Sequence, residues 1–283
     1  MKSKVKAYAK INLSLNVYES VGGYHDLDSI VTTIDLYDVI TATKRRDDKI
    51  VVKMRGIGED VLSGSNNNAY KAAVLFKETF NTKGMDITVT KHIPLGGGLG
   101  GSSADVAGVL NALKKLYDVA DDVKPLADRL GSDSGYLLTG GFARLGGRGE
   151  KVTKIDSEAD FYVVLVYSGG GVNTAECFKL YDQMKTDKKP SDNQKLEEAI
   201  KVGDIKAIAS EVGNDLSLPA QRLCEDVEKN LNAIKALSPL CASVSGSGAT
   251  VFGIFETKEL SLWACDKLLK QGYDAEVVKT FNY

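Results

Sequence analysis

Residues 91–103 read Lys91-His92-Ile93-Pro94-Leu95-Gly96-Gly97-Gly98-Leu99-Gly100-Gly101-Ser102-Ser103. Before them, Met85 to Ile93 alternates apolar and polar residues, which predicts a strand that Pro94 stops. After them, Ser103 to about Tyr117 carries Val106, Leu110, Leu113 and Tyr117 at helical spacing. Glycines between a strand and a helix let successive backbone N–H groups turn inward as a nest, and the helix adds its positive N-terminus. The stretch Pro94 to Ser103 therefore predicts a site for a di- or triphosphate. Ser102 and Ser103 sit where a hydroxyl can cap the helix or reach a phosphate-bound Mg²⁺. Asp105, just beyond, reads as an exposed acid at a helix start, with help to the metal as the alternative.

Two better-known phosphate loops are excluded. The pattern Gly-x-x-x-x-Gly-Lys-Ser/Thr is absent, so this is not a Walker A loop. Gly96-x-Gly98-x-x-Gly101 matches the bare dinucleotide pattern, but the preceding strand is an alternating one. No Asp or Glu ends a second parallel strand about 20 residues on.

Working outward, Val5, Ala7, Ala9, Ile11, Leu13, Leu15 and Val17 take the odd positions of the first segment and polar residues the even ones. That alternation predicts a half-buried strand whose polar face carries Lys10 and Asn12 side by side, roughly 7 Å apart. Strand-like sequence resumes from about Ser29 to Thr43 and from Lys49 to Met54. Asn66, Asn67 or Asn68 caps a helix running to about Phe80. Phe161 to Tyr167 is a continuous apolar run, hence a central strand. Residues 186–195 read as a polar connection. Helices follow near Gln194 to Val202 and Ala220 to Ala236, then a strand at Ala242 to Val244. The end reads strand (Thr250 to Phe255), helix (Leu260 to Lys270), strand (Ala275 to Thr280). There is no internal repeat, the class is mixed α and β, and the domain boundary falls near 150–160.

Composition narrows the function. The chain has 283 residues, with 36 Lys and Arg against 38 Asp and Glu, a formal charge of −2. A pI of 5.8 removes the broad basic footprint of a nucleic-acid binder. A mean hydropathy of −0.14 is ordinary for a globular chain, and no apolar run approaches the roughly 20 residues of a membrane span. The N-terminus leads straight into the strand pattern with no apolar signal segment, so the expectation is a cytoplasmic protein. Cys177, Cys224, Cys241 and Cys265 are scattered and read as buried and reduced. With only His25 and His92 there are too few parts for a zinc site or a histidine-based triad.

Three further residues or segments are ambiguous alone. Val244-Ser245-Gly246-Ser247-Gly248-Ala249-Thr250 reads as a tight turn, Lys10 as an exposed lysine, and Asp133 as a turn residue or cap. Together, Ala9-Lys10-Ile11-Asn12-Leu13, the Pro94 to Ser103 loop and Val244 to Val251 resemble the three signature segments of the GHMP kinases. Gly23-Tyr24-His25-Asp26-Leu27, Asn173-Thr174-Ala175-Glu176, Asn214-Asp215-Leu216 and Gly147-Arg148-Gly149-Glu150 resemble the branch that phosphorylates a cytidine-diphosphate-linked polyol for isoprenoid synthesis by the non-mevalonate route.

The resemblance implies an α+β, two-domain fold: a ribosomal protein S5 domain 2-like half over 1–155 and a ferredoxin-like α/β half over 156–283. It implies ATP and Mg²⁺ as cofactors, with Ser103 toward the metal. Lys10 and Asp133 become the catalytic pair, and Pro94, Leu95, Gly96, Gly97, Gly98, Leu99, Gly100, Gly101, Ser102 and Ser103 the ATP loop. Gly246, Ser247 and Gly248 form a second glycine turn. Asn12 orients the substrate, while Tyr24, His25 and Phe178 pack on or recognise a cytosine ring. For Tyr24 and Phe178 the alternative is ordinary core packing. The partners implied are a small-molecule alcohol and ATP, with neither nucleic acid nor membrane, in a monomer or homodimer. Other readings are a GHMP kinase for homoserine or a mevalonate derivative, and a silent nucleotide-binding paralogue. The sequence departs from the usual Gly-Ala-Asp-Val-Pro around the aspartate, having Gly131-Ser132-Asp133-Ser134-Gly135. It also departs from the usual Gly-Gly-Ser-Ser-Asp/Asn-Ala-Ala at the helix start, having Gly100-Gly101-Ser102-Ser103-Ala104-Asp105-Val106-Ala107.

Overall fold

The structure, a computed structural model, describes residues 2–60, 67–184 and 190–282. The chain begins with strands β1 (Lys2–Asn12), β2 (Ser14–Val21), β3 (Tyr24–Lys44) and β4 (Ile50–Gly56). Helix α1 (Asn68–Phe80), strand β5 (Met85–Lys91) and helices α2 (Gly101–Tyr117), α3 (Lys124–Asp128) and α4 (Ser134–Leu137) follow. Next come β6 (Ala143–Gly147), β7 (Lys151–Lys154), β8 (Tyr162–Tyr167), α5 (Thr174–Met184), α6 (Asn193–Val202) and α7 (Ile205–Glu211). The chain closes with β9 (Gly213–Asn214), α8 (Ser217–Leu223), α9 (Glu225–Lys235), β10 (Cys241–Val244), β11 (Val251–Ile254), α10 (Lys258–Lys270) and β12 (Asp274–Lys279). It divides into two compact units. The first holds Met1–Ala9, Leu36–Leu95 and Gly100–Gly140; the second holds Lys10–Asp35, Gly96–Leu99 and Gly141–Tyr283.

In the first unit β5 runs parallel to β4 and antiparallel to the end of β3, Val39 to Lys44. The Asn67 side chain accepts from the Ala69 N–H and caps α1, while Asn66 lies outside the described residues. α1 turns Ala69, Ala72, Ala73 and Phe76 inward against α2. α2 lies directly on the strands at Gly108, where a methyl group would come 2.7 Å from Ile40 and 2.8 Å from Ala7.

In the second unit the start of β3 pairs antiparallel with β2 and with β6, which pairs with β7. A separate antiparallel sheet runs β10-β11-β8-β12, so β8 is central as its apolar run predicts. Helices α9 and α10 pack on this sheet, and Val164, Val166, Leu231, Ile234, Ala264 and Leu268 meet in its core.

Three expectations change. The first strand breaks at Leu13, because β2 takes a new parallel partner in β9, with Ser14 opposite Gly213. Its polar face is solvated only at the start: Lys4 and Lys6 are exposed, whereas Lys10 and Asn12 are each 5% exposed. The helix expected over Ala220 to Ala236 is two, interrupted at Cys224 in extended conformation (φ −143°, ψ 108°). Glu225, Asp226 and Glu228 then favour a fresh helix N-terminus. The sequence reading missed α3, α4, α5, α7 and the short strands β6, β7 and β9. Residues 186–189 of the expected polar connection lie outside the described residues. The four cysteines are free. Cys177 and Cys265 are buried, but Cys224 and Cys241 are half-buried. Burial pushes the Cys177 thiol up to about 11, which leaves it protonated and inert.

Candidate active site

In the second unit the middle of the glycine loop is held by its carbonyls. Gly96 O accepts from the Ala249 N–H (3.3 Å), Gly97 O from the Thr250 N–H (3.1 Å) and Leu99 O from the Lys10 N–H (2.9 Å). Gly98 O accepts from Ser245 Oγ at 2.9 Å. Among the described residues, none of the four N–H groups of Gly96 to Leu99 is donated to a protein partner. Four tied carbonyls and four N–H groups without a protein acceptor suit this stretch to an anion nest. Gly98 is required here. Its φ is +73°, and a side chain would collide with the Ser245 carbonyl. The second glycine turn, read alone as a tight turn, is therefore the clamp that shapes the first.

Lys10 donates from Nζ to Asn12 Oδ1 at 2.6 Å, so the two residues share a face as the alternation predicts. Asn12 Nδ2 donates to Ser29 Oγ (2.9 Å), which fixes the amide orientation. The Asn12 N–H donates to Ser245 Oγ (3.4 Å), joining the strand to the clamp. Asn214 secures the clamp from its other side, donating to the carbonyls of Val244 (2.8 Å) and Gly246 (2.7 Å). Thr174 and Ser247 join hydroxyls at 2.9 Å. The family resemblance includes Asn214 and Thr174 but assigns them no task. Their contacts span 32 and 73 positions, which no local pattern reports.

An aromatic group lies elsewhere in this unit. The His25 ring stacks on Phe178, with centroids 5.2 Å apart and planes 17° from parallel. Tyr181 meets His25 edge-on at 6.2 Å. Nδ1 of His25 faces the Tyr18 carbonyl at 2.7 Å and so carries a proton, while Nε2 lies 3.2 Å from Asp182 Oδ1. Tyr24 is 61% exposed, with the Arg148 guanidinium 4.7 Å over its ring. The structure thus brings His25 and Phe178 together and sets Tyr24 beside Arg148. Tyr181 and Asp182 were not singled out from sequence, and Arg148 entered only within a family segment.

In the first unit α2 starts directly after the loop. Its cap is Gly100 (φ 73°, ψ 17°), so Ser102 and Ser103 lie inside the first turn and neither caps it. Ser102 Oγ accepts from Asn68 Nδ2 (2.8 Å). Ser103 faces the turn that carries Asp133: a methyl group on Gly131 would stand 2.9 Å from Ser103 Oγ and 2.8 Å from Ser134 Oγ. Asp133 itself is half-buried at the cap position of α4 without a capping bond from its side chain. At Gly135 a side chain would press on the Asp128 carboxylate, which would have to turn aside. Asp105 corrects an expectation. It is 5% exposed and paired at 2.9 Å with Lys91, which also pairs with Asp38, so it is not a solvated acid. Burial, against the pull of Lys91, pushes its carboxyl up to about 7.

The family model described as GHMP kinases N terminal domain matches residues 67–142, and that described as GHMP kinases C terminal matches 196–274. A crystal structure of 4-(cytidine 5'-diphospho)-2C-methyl-D-erythritol kinase superposes with a TM-score of 0.80 at 27% identity, covering 99% of this chain and 100% of the other. Homoserine kinase from Cytophaga hutchinsonii superposes with a TM-score of 0.74 at 18% identity, covering 99% and 95%, a likeness of fold. The chain belongs to the GHMP kinases: a two-domain α+β fold and an ATP-dependent phosphotransferase. Within that family it is 34% identical to the 4-diphosphocytidyl-2-C-methyl-D-erythritol kinase of Clostridium beijerinckii over 98% of this chain and 99% of the relative. The enzyme of the same name from a Geobacillus species is 38% identical over 90% and 89%. No helix among the described residues is long and apolar enough to cross a membrane.

Proposed function

We propose that this chain transfers the γ-phosphoryl group of ATP to the 2-hydroxyl of 4-diphosphocytidyl-2-C-methyl-D-erythritol, in isoprenoid precursor synthesis in the cytoplasm. The observation that carries the choice of alcohol is the His25–Phe178 stack with Tyr24 exposed nearby. Flat rings and a fixed histidine suit a pyrimidine base and have no shared purpose for a small aliphatic alcohol such as homoserine or mevalonate. The amides of Gly96 to Leu99 bind the phosphates, with Pro94, Leu95 and Gly100 to Ser103 completing the loop.

Asp133 takes the proton of the attacking hydroxyl. Lys10 offsets charge developing on the transferred group, and Asn12, bonded to Lys10, orients the alcohol. Gly246, Ser247 and Gly248 shape the nest. The donor set suits Mg²⁺. Ser103 offers a half-buried hydroxyl at the helix start, and among the described residues no three His, Cys, Asp or Glu gather as a cage. Mg²⁺ takes most of its ligands from phosphates and water; held by Ser103, it would neutralise phosphate charge. The functional division falls at 1–155 and 156–283, and the enzyme works as a monomer or homodimer without nucleic acid.

The test is ATP consumption with Mg²⁺ and the cytidyl alcohol beside homoserine and mevalonate. Turnover on either control in place of the cytidyl alcohol would refute the substrate. Asp133→Asn should cut kcat by about 10² or more with ATP affinity unchanged; wild-type turnover in that variant would place the base elsewhere.

A further inference from the structure

Three buried charges of the first unit take no part in the chemistry above. Lys91 ends β5, Asp38 lies on β3 and Asp105 on α2, with side chains 1%, 0% and 7% exposed. The Lys91 ammonium donates to the Asp38 carboxylate and to Asp105 Oδ2 (2.9 Å). The other Asp38 oxygen accepts from the N–H groups of His92 (2.6 Å) and Ile93 (2.9 Å). The ammonium lies under the helix start: a methyl group on Gly101 would stand 3.5 Å from Nζ and 3.1 Å from Ile93 Cγ2.

Stability alone does not account for this. A cation there opposes the positive end of α2, and a buried ion cluster is commonly no more stable than apolar residues of the same volume. The Oδ1 atom of Asp105 is buried with no partner, a further unfavourable feature. What the cluster does is geometric. Residues 91–93 lead into the glycine loop and residues 101–105 leave it; the ammonium carried by the first stem is bonded to Asp105 on the second, and Asp38 ties that ammonium to the backbone of His92 and Ile93.

We propose that Lys91, Asp38 and Asp105 are positioning residues for the phosphate loop, fixing the separation of its two stems without touching the nucleotide. This rests on the reading that residues 94–103 hold the phosphates of ATP. Asp105 is the place to cut, because the Lys91–Asp38 pair survives its loss. In calorimetric titrations with MgATP, Asp105→Ala should weaken ATP binding about tenfold or more, as expected when a binding group is displaced by a fraction of an ångström. Affinity for the cytidyl alcohol should stay within about twofold, and Asp105→Asn, which keeps the acceptor oxygen, should restore most of the ATP affinity. Amide exchange should quicken over 91–105 and not in β8. Should the Ala variant fail to fold, Asp105→Leu fills the space and carries the same expectation. A folded Ala or Leu variant with wild-type ATP affinity, or an equal loss for ATP and alcohol, overturns the proposal. A wild-type protein that binds no ATP overturns the loop reading on which the proposal rests.

Discussion

Two stretches of the second unit are buried to the same degree for opposite reasons. Val163, Val164, Leu165 and Val166 of β8 are wholly buried between β11 and β12. Lys10 to Val17 is equally sealed, yet its even positions are Lys10, Asn12, Ser14 and Asn16, none more than 5% exposed. In β8, burial is itself the stabilising term, at about 25 cal/mol for each Å² of apolar surface. In the first stretch every polar group must recover a lost hydration shell through a bond. Each does: Asn16, for example, exchanges two 2.9 Å bonds with the backbone of Ser191. Apolar residues would satisfy the fold at lower cost. On the proposed function, a strand that keeps polar groups inside serves to aim them, and that use would separate a site from a scaffold.

The comparison breaks if the two stretches respond alike to substitution. The largest effect is expected at Lys10. Lys10→Met keeps the stem and removes the charge, so kcat should fall by about 10² to 10³, with a melting temperature near that of the wild type. A variant that unfolds while its folded fraction stays active would place Lys10 with the scaffold. Leu165→Ala should do the reverse. Truncating a wholly buried leucine costs about 2–5 kcal/mol of unfolding free energy in denaturant titrations. Activity per folded molecule should not change, and a lost kcat in fully folded Leu165→Ala would blur the distinction.

The same contrast explains what sequence could reveal. The apolar run of β8 names its environment, because a continuous run has no second interpretation. The alternation of Val5 to Val17 correctly put Lys10 and Asn12 on one face but gave the wrong surroundings. Period two is identical whether the polar face meets water or a buried network, and the groups that bury it, Ser29 and Ser245, lie 17 and 233 positions from Asn12. The glycine loop was legible because strand, glycines and helix are contiguous. Its clamp was not, since the bond from Ser245 to Gly98 spans 147 positions. Asp105 misled for the same reason: its partner Lys91 is 14 residues back, across the loop.

Ser14 sharpens the distinction within the polar strand itself. Its hydroxyl accepts from the Ile30 N–H at 2.9 Å, and its carbonyl accepts from Ser29 Oγ at 2.5 Å. Ser29 in turn accepts from Asn12, so Ser14 is two steps from the residue proposed to orient the substrate. Ser14→Ala leaves the Ile30 N–H buried without an acceptor, at a cost of about 1–3 kcal/mol. The backbone carbonyl that holds Ser29 is untouched by the substitution, so the Asn12 amide keeps its orientation. The expected outcome is a modest loss in denaturant titrations with kcat and both KM values preserved. A raised KM for the alcohol at unchanged KM for ATP would instead show that the Ser14 hydroxyl helps to aim Asn12, and the site would then extend one residue further along the strand.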